Sequence, residues 1–264
     1  MKIKTITCHD VYNVGASLQA YALMTYLSSL GHEVEIIDYK PEYLSRHYRL
    51  TGVSNPKYDK PVLKQVYNIL KFPGRFKALH SQRKKEYDLF KEQYLKVTSH
   101  RYTSNEELKK NPPEADVYFA GSDQIWNTKF PNGKDAAFYL DFAPANTIRA
   151  AYAASFATEQ IEPEYRECVK TWLSNLDYIS VRESSGVQII SELGIDNSIQ
   201  VLDPVFLLNK IEWLKICKKL DLTEKYLLVY DFDNNPRIQV YAQKMAKERN
   251  LKIYSVLPCS YCDR

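Results

Sequence analysis

No stretch of this sequence approaches the roughly 18 consecutive apolar residues that a membrane-crossing helix needs. The opening residues, Met-Lys-Ile-Lys-Thr-Ile-Thr, hold too short an apolar run for a secretory signal. A protein that neither spans a membrane nor leaves by a standard signal is expected in the cytoplasm. No G-x-G-x-x-G occurs, so the dinucleotide fingerprint is absent and no cofactor is expected. The five cysteines are odd in number and scattered. That argues against a disulfide framework and for reduced thiols in a reducing compartment. Cys259-x-x-Cys262 is half of a zinc site with no visible second half, so no metal is expected. Internal repeats and low-complexity tracts are also missing. The net charge of +4 on 264 residues is too small for a dedicated nucleic-acid binder.

What is present is an ordinary globular composition, 45% hydrophobic and 26% charged. Residues 2–7 alternate apolar and polar, the pattern of a strand. From Ala16 to Leu30 the period turns helical, and Gly31 sits where glycine stops a helix. Val34, Ile36 and Ile37 then lead a second strand into Asp38. Such a βαβ unit implies a parallel sheet. Residues 40–110 break the rhythm with Tyr, Lys, Arg and Pro, and read as a helical insertion with helices near 62–71 and 79–95. The rhythm resumes with strands at 116–120, 147–154, 177–182 and 200–202, and helices near 162–175 and 184–193. A helix near 210–219 precedes a second βαβ unit: strand 226–230, helix 235–249, strand 252–257. The expected architecture is α/β, a Rossmann-like parallel sheet with helices on both faces. One Rossmann-like domain spans 1–208, with the insertion at about 40–110. Residues 209–264 open a second, incomplete Rossmann-like domain.

Open α/β sheets bind ligands beyond the carboxyl ends of their strands. These ends carry polar, small-residue loops suited to a small anion. After the first strand comes His9, then Asn13, Gly15 and Ala16 running into a helix whose N-terminus favours an anion; a plain turn is the alternative. Next stand Gly121, Ser122, Asp123 and Gln124, of which one would suffice to cap a helix. Ser155 ends a further strand. Arg182 and Glu183 follow another, as an anion clamp or as a structural ion pair. Asp203-Pro204 reads as a turn. His9 is the one histidine at a strand end, a candidate acid or base unless it is a structural histidine. The basic stretch 71–101 is a solvated helix face or a contact for anionic lipid or polysaccharide.

Taken in order, these segments resemble the polysaccharide pyruvyl transferase family. The residues that carry the resemblance are His9 with Asn13-Val14-Gly15-Ala16-Ser17-Leu18-Gln19-Ala20-Tyr21, Gly31-His32-Glu33-Val34 with Ile37-Asp38-Tyr39, Gly121-Ser122-Asp123-Gln124-Ile125-Trp126-Asn127, Tyr152-Ala153-Ala154-Ser155-Phe156, Ser180-Val181-Arg182-Glu183, and Leu202-Asp203-Pro204-Val205-Phe206. The resemblance implies a GT-B-like fold. It implies transfer of pyruvate from phosphoenolpyruvate to a saccharide or lipid-linked saccharide, leaving a ketal. Arg182 would then clamp an anion, and His9 is a weaker acid or base candidate. Asn13, Gly15, Ala16, Gly121, Ser122, Asp123, Gln124, Ser155 and Glu183 would bind substrate. The family's Ser-Phe-His-Gly-like segment has no counterpart here. The chain is therefore expected to lack much of the C-terminal domain and to be inactive alone. Two alternatives remain: a nucleotide-sugar glycosyltransferase of the same fold, told apart by its donor, and a non-catalytic sugar-binding remnant.

Overall fold

The computed structural model describes residues 1–44, 50, 60–218, 222–231, 233–256 and 262. The chain falls into two compact units, Met1–Lys210 and Ile211–Arg264. The first is built on a seven-stranded, wholly parallel sheet. Its strands are β1 (Lys2–Ile6), β2 (Glu33–Tyr39), β3 (Val97–Tyr102), β4 (Val117–Ala120), β5 (Ile148–Ala154), β6 (Tyr178–Val181) and β7 (Ser198–Gln200). They are ordered β3-β2-β1-β4-β5-β6-β7. The chain winds outward from β1 to β3, returns to the middle, and winds the other way from β4. Right-handed crossovers in opposite directions place helices on opposite faces, which is the Rossmann plan. The order reverses between β1 and β4, and a crevice opens there.

Helix α1 (Val14–Ser29) follows β1. The Asn13 side chain caps it by accepting from the Ala16 N–H at 3.1 Å, and Gly31 at φ +87° lies just beyond its end. Helices α2 (Pro61–Leu79) and α3 (Gln82–Tyr94) come next. The stretch expected to be a helical insertion also contains β3, which pairs with β2 at the sheet edge, and a short helix α4 (Asn105–Lys110). Polar Thr98, Ser99 and His100 hide β3 in the sequence, because an edge strand needs no continuous apolar run. Residues 45–49 and 51–59 of that stretch lie outside the described residues. Between β4 and β5 no α-helix forms. Two 3₁₀ turns, Pro131–Lys134 and Ala136–Tyr139, instead deliver Phe138, Tyr139 and Leu140 into the core. Trp126 is fully buried there, its indole N–H donating to the Phe138 carbonyl at 2.9 Å. Helices α5 (Arg166–Leu173) and α6 (Ser184–Glu192) complete the crossovers to β6 and β7.

The division between the units falls inside α7 (Lys210–Leu214), shorter than the helix expected over 210–219. The second unit has parallel strands β8 (Tyr226–Val229) and β9 (Lys252–Ser255) joined by α8 (Pro236–Arg249). Val229, Ala242, Ala246 and Ile253 form its small core. Cys262 is disulfide-bonded, which corrects the expectation of five reduced thiols. Cys259 lies outside the described residues.

The small residues of β5 let the end of β4 settle against it. Gly121 has φ +116°, and a Cβ there would run into the Tyr152 carbonyl oxygen. Gly121→Ala combines left-handed strain with a clash against rigid backbone. It is expected to destabilise the fold by about 2–4 kcal/mol, read as a lower urea midpoint with an unchanged slope.

Candidate functional site

The β1/β4 crevice is a cavity of about 670 Å³ within the first unit. Its lining comes from four strand ends. Cys8 and Val11 follow β1, Asp123 and Gln124 follow β4, Arg182 follows β6, and Asp203 and Val205 follow β7. Asn13, Gly15, Ala16 and Gln19 come from the start of α1, and Leu44, Phe130 and Asn132 close the rim.

A buried polar knot holds the two central strand ends in place. The Gln19 side-chain amide donates to Thr7 Oγ1 and to the Ala16 carbonyl, each at 2.9 Å, while its oxygen accepts from the Ser122 N–H at 3.0 Å. The Thr7 hydroxyl closes the ring by donating to the Ser122 carbonyl at 2.9 Å. Ser122 Oγ donates to the Ala153 carbonyl at 2.6 Å. The chain beyond β4 then keeps pairing with β5. Asp123 bridges Ala154, the Ser155 N–H donates to the Asp123 carbonyl, and the Trp126 N–H donates to the Ser155 carbonyl. This continues the β4–β5 register without a shift, while Ala153 at φ +50° marks an irregularity in the pairing of β5 with β6, and Asp123 itself lies at φ +77°. Aspartate tolerates that left-handed backbone better than most residues. The Gly121–Ser122 peptide bond is cis.

The sequence candidates therefore separate by place. Asn13, Gly15, Ala16, Asp123, Gln124 and Arg182 line the cavity. Gly121 and Ser122 are buried and are not part of its lining. Ser155 is buried and donates to Glu183 Oε1 at 2.8 Å. Glu183 Oε1 also accepts from Arg182 Nε at 3.0 Å, and Asp203 Oδ2 takes Arg182 Nη1 at 2.9 Å. The guanidinium on the cavity wall is thus held between two carboxylates. Gln19, Phe130, Asn132 and Asp203 line the cavity without having been singled out as binding residues. Gln19 lies inside an ordinary helical period, and Phe130 and Asn132 lie in an irregular loop, so neither periodicity nor spacing marks them. Asp203 resembles a turn former and does cap the Val205 N–H at 3.0 Å.

His9 is not part of the cavity lining. Its side chain is fully buried, with Nε2 3.2 Å from Asp38 Oδ1 and Nδ1 3.3 Å from the Thr7 carbonyl. Asp38 also accepts from Arg101 Nε at 2.9 Å, and Asp10 pairs with Lys40 at 2.7 Å and Lys91 at 3.0 Å. This network ties the ends of β1, β2 and β3 to α3. Burial alone would raise the Asp38 carboxyl. The His9 hydrogen bond, the Lys91 charge and Arg101 outweigh it and hold the group far below the usual carboxylate range. Asp123 shows the opposite balance. Burial pushes its carboxyl up, Asp203 adds to the push, and the Gln124 N–H and Arg182 only partly offset it. Burial also drives the Cys8 thiol well above its usual range, helped by Asp123 and Asp135. Among the described residues no group of histidine, cysteine and carboxylate side chains is arranged to hold a metal ion.

A family model for polysaccharide pyruvyl transferases matches residues 13–262 of this chain. The chain belongs to that family. No curated protein and no solved structure gives a significant match. The matched span takes in every cavity-lining residue of this family member except Cys8 and Val11.

The two aspartates give opposite expectations. Asp38 has a depressed folded pKa, so its contribution is present above the unfolded value and is lost as pH falls toward the folded one. Asp38→Ala removes the acceptor of the His9 and Arg101 hydrogen bonds and is expected to cost about 2 kcal/mol at pH 7. The gap from wild type should narrow progressively as the pH falls below about 5. Asp123 has a raised folded pKa, so its ionisation at neutral pH opposes folding. Asp123→Asn should raise the melting temperature at pH 7, with the gain vanishing near pH 4, roughly the unfolded carboxylate value. Thermal melts across pH test both.

Proposed function

We propose that this chain serves pyruvyl transfer from phosphoenolpyruvate to a sugar, and that the β1/β4 cavity holds the sugar acceptor. The observation that carries this assignment is the occupied state of Arg182. Phosphoenolpyruvate brings a carboxylate and a phosphate, which call for cations not already spoken for. Here the cavity's arginine is bound by Glu183 and Asp203, and Asp123 adds a further acid. Carboxylates and amides beside an exposed aromatic suit a neutral polyhydroxyl ligand. Asn13, Gln124 and Asn132 offer amides, and Phe130, half exposed, offers a stacking face.

The reaction fits these groups. Protonation of the enol CH₂ carbon makes it the methyl group and leaves the neighbouring carbon electron-poor. Two sugar hydroxyls add there, the C–O bond to phosphate breaks, and inorganic phosphate leaves. One hydroxyl proton replaces the one given to carbon and the other leaves with phosphate. A base must take a hydroxyl proton in the transition state, and a carboxylate of raised pKa at the strand end is suited to it. We assign that role to Asp123. Arg182, Glu183 and Ser155 position the wall behind it. His9 holds the frame through Asp38. No described histidine lines the cavity and none in the sequence follows a phenylalanine. We therefore keep the expectation of little or no turnover by this chain alone, with localisation in the cytoplasm as part of the same reading.

The test is a saccharide panel titrated into the full chain by calorimetry, beside an assay of phosphate release from phosphoenolpyruvate. Saccharide binding is expected, weakened roughly fivefold by Gln124→Ala or Asn132→Ala, each removing one hydrogen-bonding group. Robust phosphate release would refute the inactivity. Stabilisation by phosphoenolpyruvate that Arg182→Ala abolishes, with no saccharide effect, would refute the acceptor assignment. A response to UDP-sugars alone would instead support nucleotide-sugar transfer.

A further inference from the structure

Helix α2 is amphipathic, and it is exposed along most of its length. Val62, Val66, Ile69, Pro73 and Phe76 recur at spacings of three and four and form one stripe, widened by Leu63 and Leu70. That stripe faces outward, with Val62, Ile69 and Leu70 at 73%, 71% and 74% exposure. Lys64, Gln65, Lys71 and Lys77 are exposed as well, so the cations beside the stripe also meet solvent. Arg75 is buried, donating to the Leu50 carbonyl at 3.2 Å and to Asn68 Oδ1 at 2.9 Å, with its guanidinium 5.5 Å from the Tyr67 ring. An outward apolar stripe gains nothing from folding, since water meets it in the folded and unfolded chain alike. Continuous exposed patches of this kind mark surfaces that meet something else.

The charge around the stripe indicates what that is. Residues 61–85 carry seven lysines and arginines and no aspartate or glutamate. Two copies of such a face would bring like charges together, and a neutral partner would leave them unmatched. We propose that α2 seats this chain on an anionic lipid bilayer, lying in the interface plane with its apolar stripe among the acyl chains and its cations at the headgroups. Low overall hydrophobicity, Phe and Leu on one side and basic residues around them are the attributes of helices that lie on membranes rather than cross them. No described helix is long and apolar enough to cross. The cation content supplies the attraction to anionic headgroups, at about fivefold in affinity per lysine or arginine near the surface. This inference stands on α2 alone and is independent of the cavity's ligand.

The test is sedimentation of the full chain with vesicles of phosphatidylcholine alone or mixed with phosphatidylglycerol. Binding is expected on the mixed vesicles, release at high salt, and little binding to phosphatidylcholine. Two double variants, Ile69→Ser with Leu70→Ser and Lys71→Gln with Lys77→Gln, should each lower the partition coefficient about tenfold or more. All four side chains are exposed, so melting temperatures should match wild type. If the apolar double shifts the melt, the lysine double, which leaves the stripe intact, carries the test. Equal binding to both lipids, or binding unchanged in the variants, overturns the proposal. So does a dimer in light scattering that the apolar double dissolves while vesicles bind nothing, because the stripe would then belong to a second copy.

Discussion

The fold at the cavity depends on one buried amide. Gln19 sits where α1 crosses the gap between β1 and β4, and it is nearly inaccessible to water. A parallel sheet that reverses its winding order leaves the two central strand ends without a common ladder beyond their last residues. Their polar groups are buried, and each would cost about 1–3 kcal/mol if left unpaired. The amide answers this with two donors and one acceptor placed on Thr7, Ala16 and Ser122. A carboxylate of the same shape has no donor for Thr7 or Ala16, so the constraint is on hydrogen-bond polarity rather than on size. The chain beyond β4, from the Ser122 hydroxyl to the pairing of Asp123 with the end of β5, inherits its position from that crossing.

Charge is arranged by the same economy. Cations near the strand ends are matched to carboxylates: Arg182 to Glu183 and Asp203, Arg101 to Asp38, Lys40 and Lys91 to Asp10. The cavity is left acidic and amide-rich. The dense run of basic residues lies instead along α2 and the start of α3. One neighbourhood suits hydroxyls and the other suits extended anionic surfaces.

Much of this was legible in the sequence. Apolar period and strand-end position located β1, α1, β2 and β4 through α6, because each is a buried parallel strand or a helix with a core-facing stripe. Four of the segments that carry the family resemblance, those around Asn13, Asp123, Arg182 and Asp203, also contribute to the cavity wall. Two things stayed hidden for physical reasons. β3 is an edge strand with a polar centre, so it lacks the apolar run that marks its neighbours. The partners of His9 and Arg182 depend on long-range geometry: Asp38 is 29 residues from His9 and Asp203 is 21 from Arg182. A histidine at a strand end and an arginine before a helix look alike in sequence whether they face ligand or frame. Those carboxylate partners come from other parts of the chain, and periodicity carries no information about partners.

Cys8 follows from this arrangement in a different way. Its sulfur borders the cavity, yet burial and two nearby aspartates keep the proton on it. Since the thiolate is the reactive form, this thiol is expected to react slowly with alkylating agents and with peroxide. A Cys8 that keeps its proton adds no charge to the wall it borders.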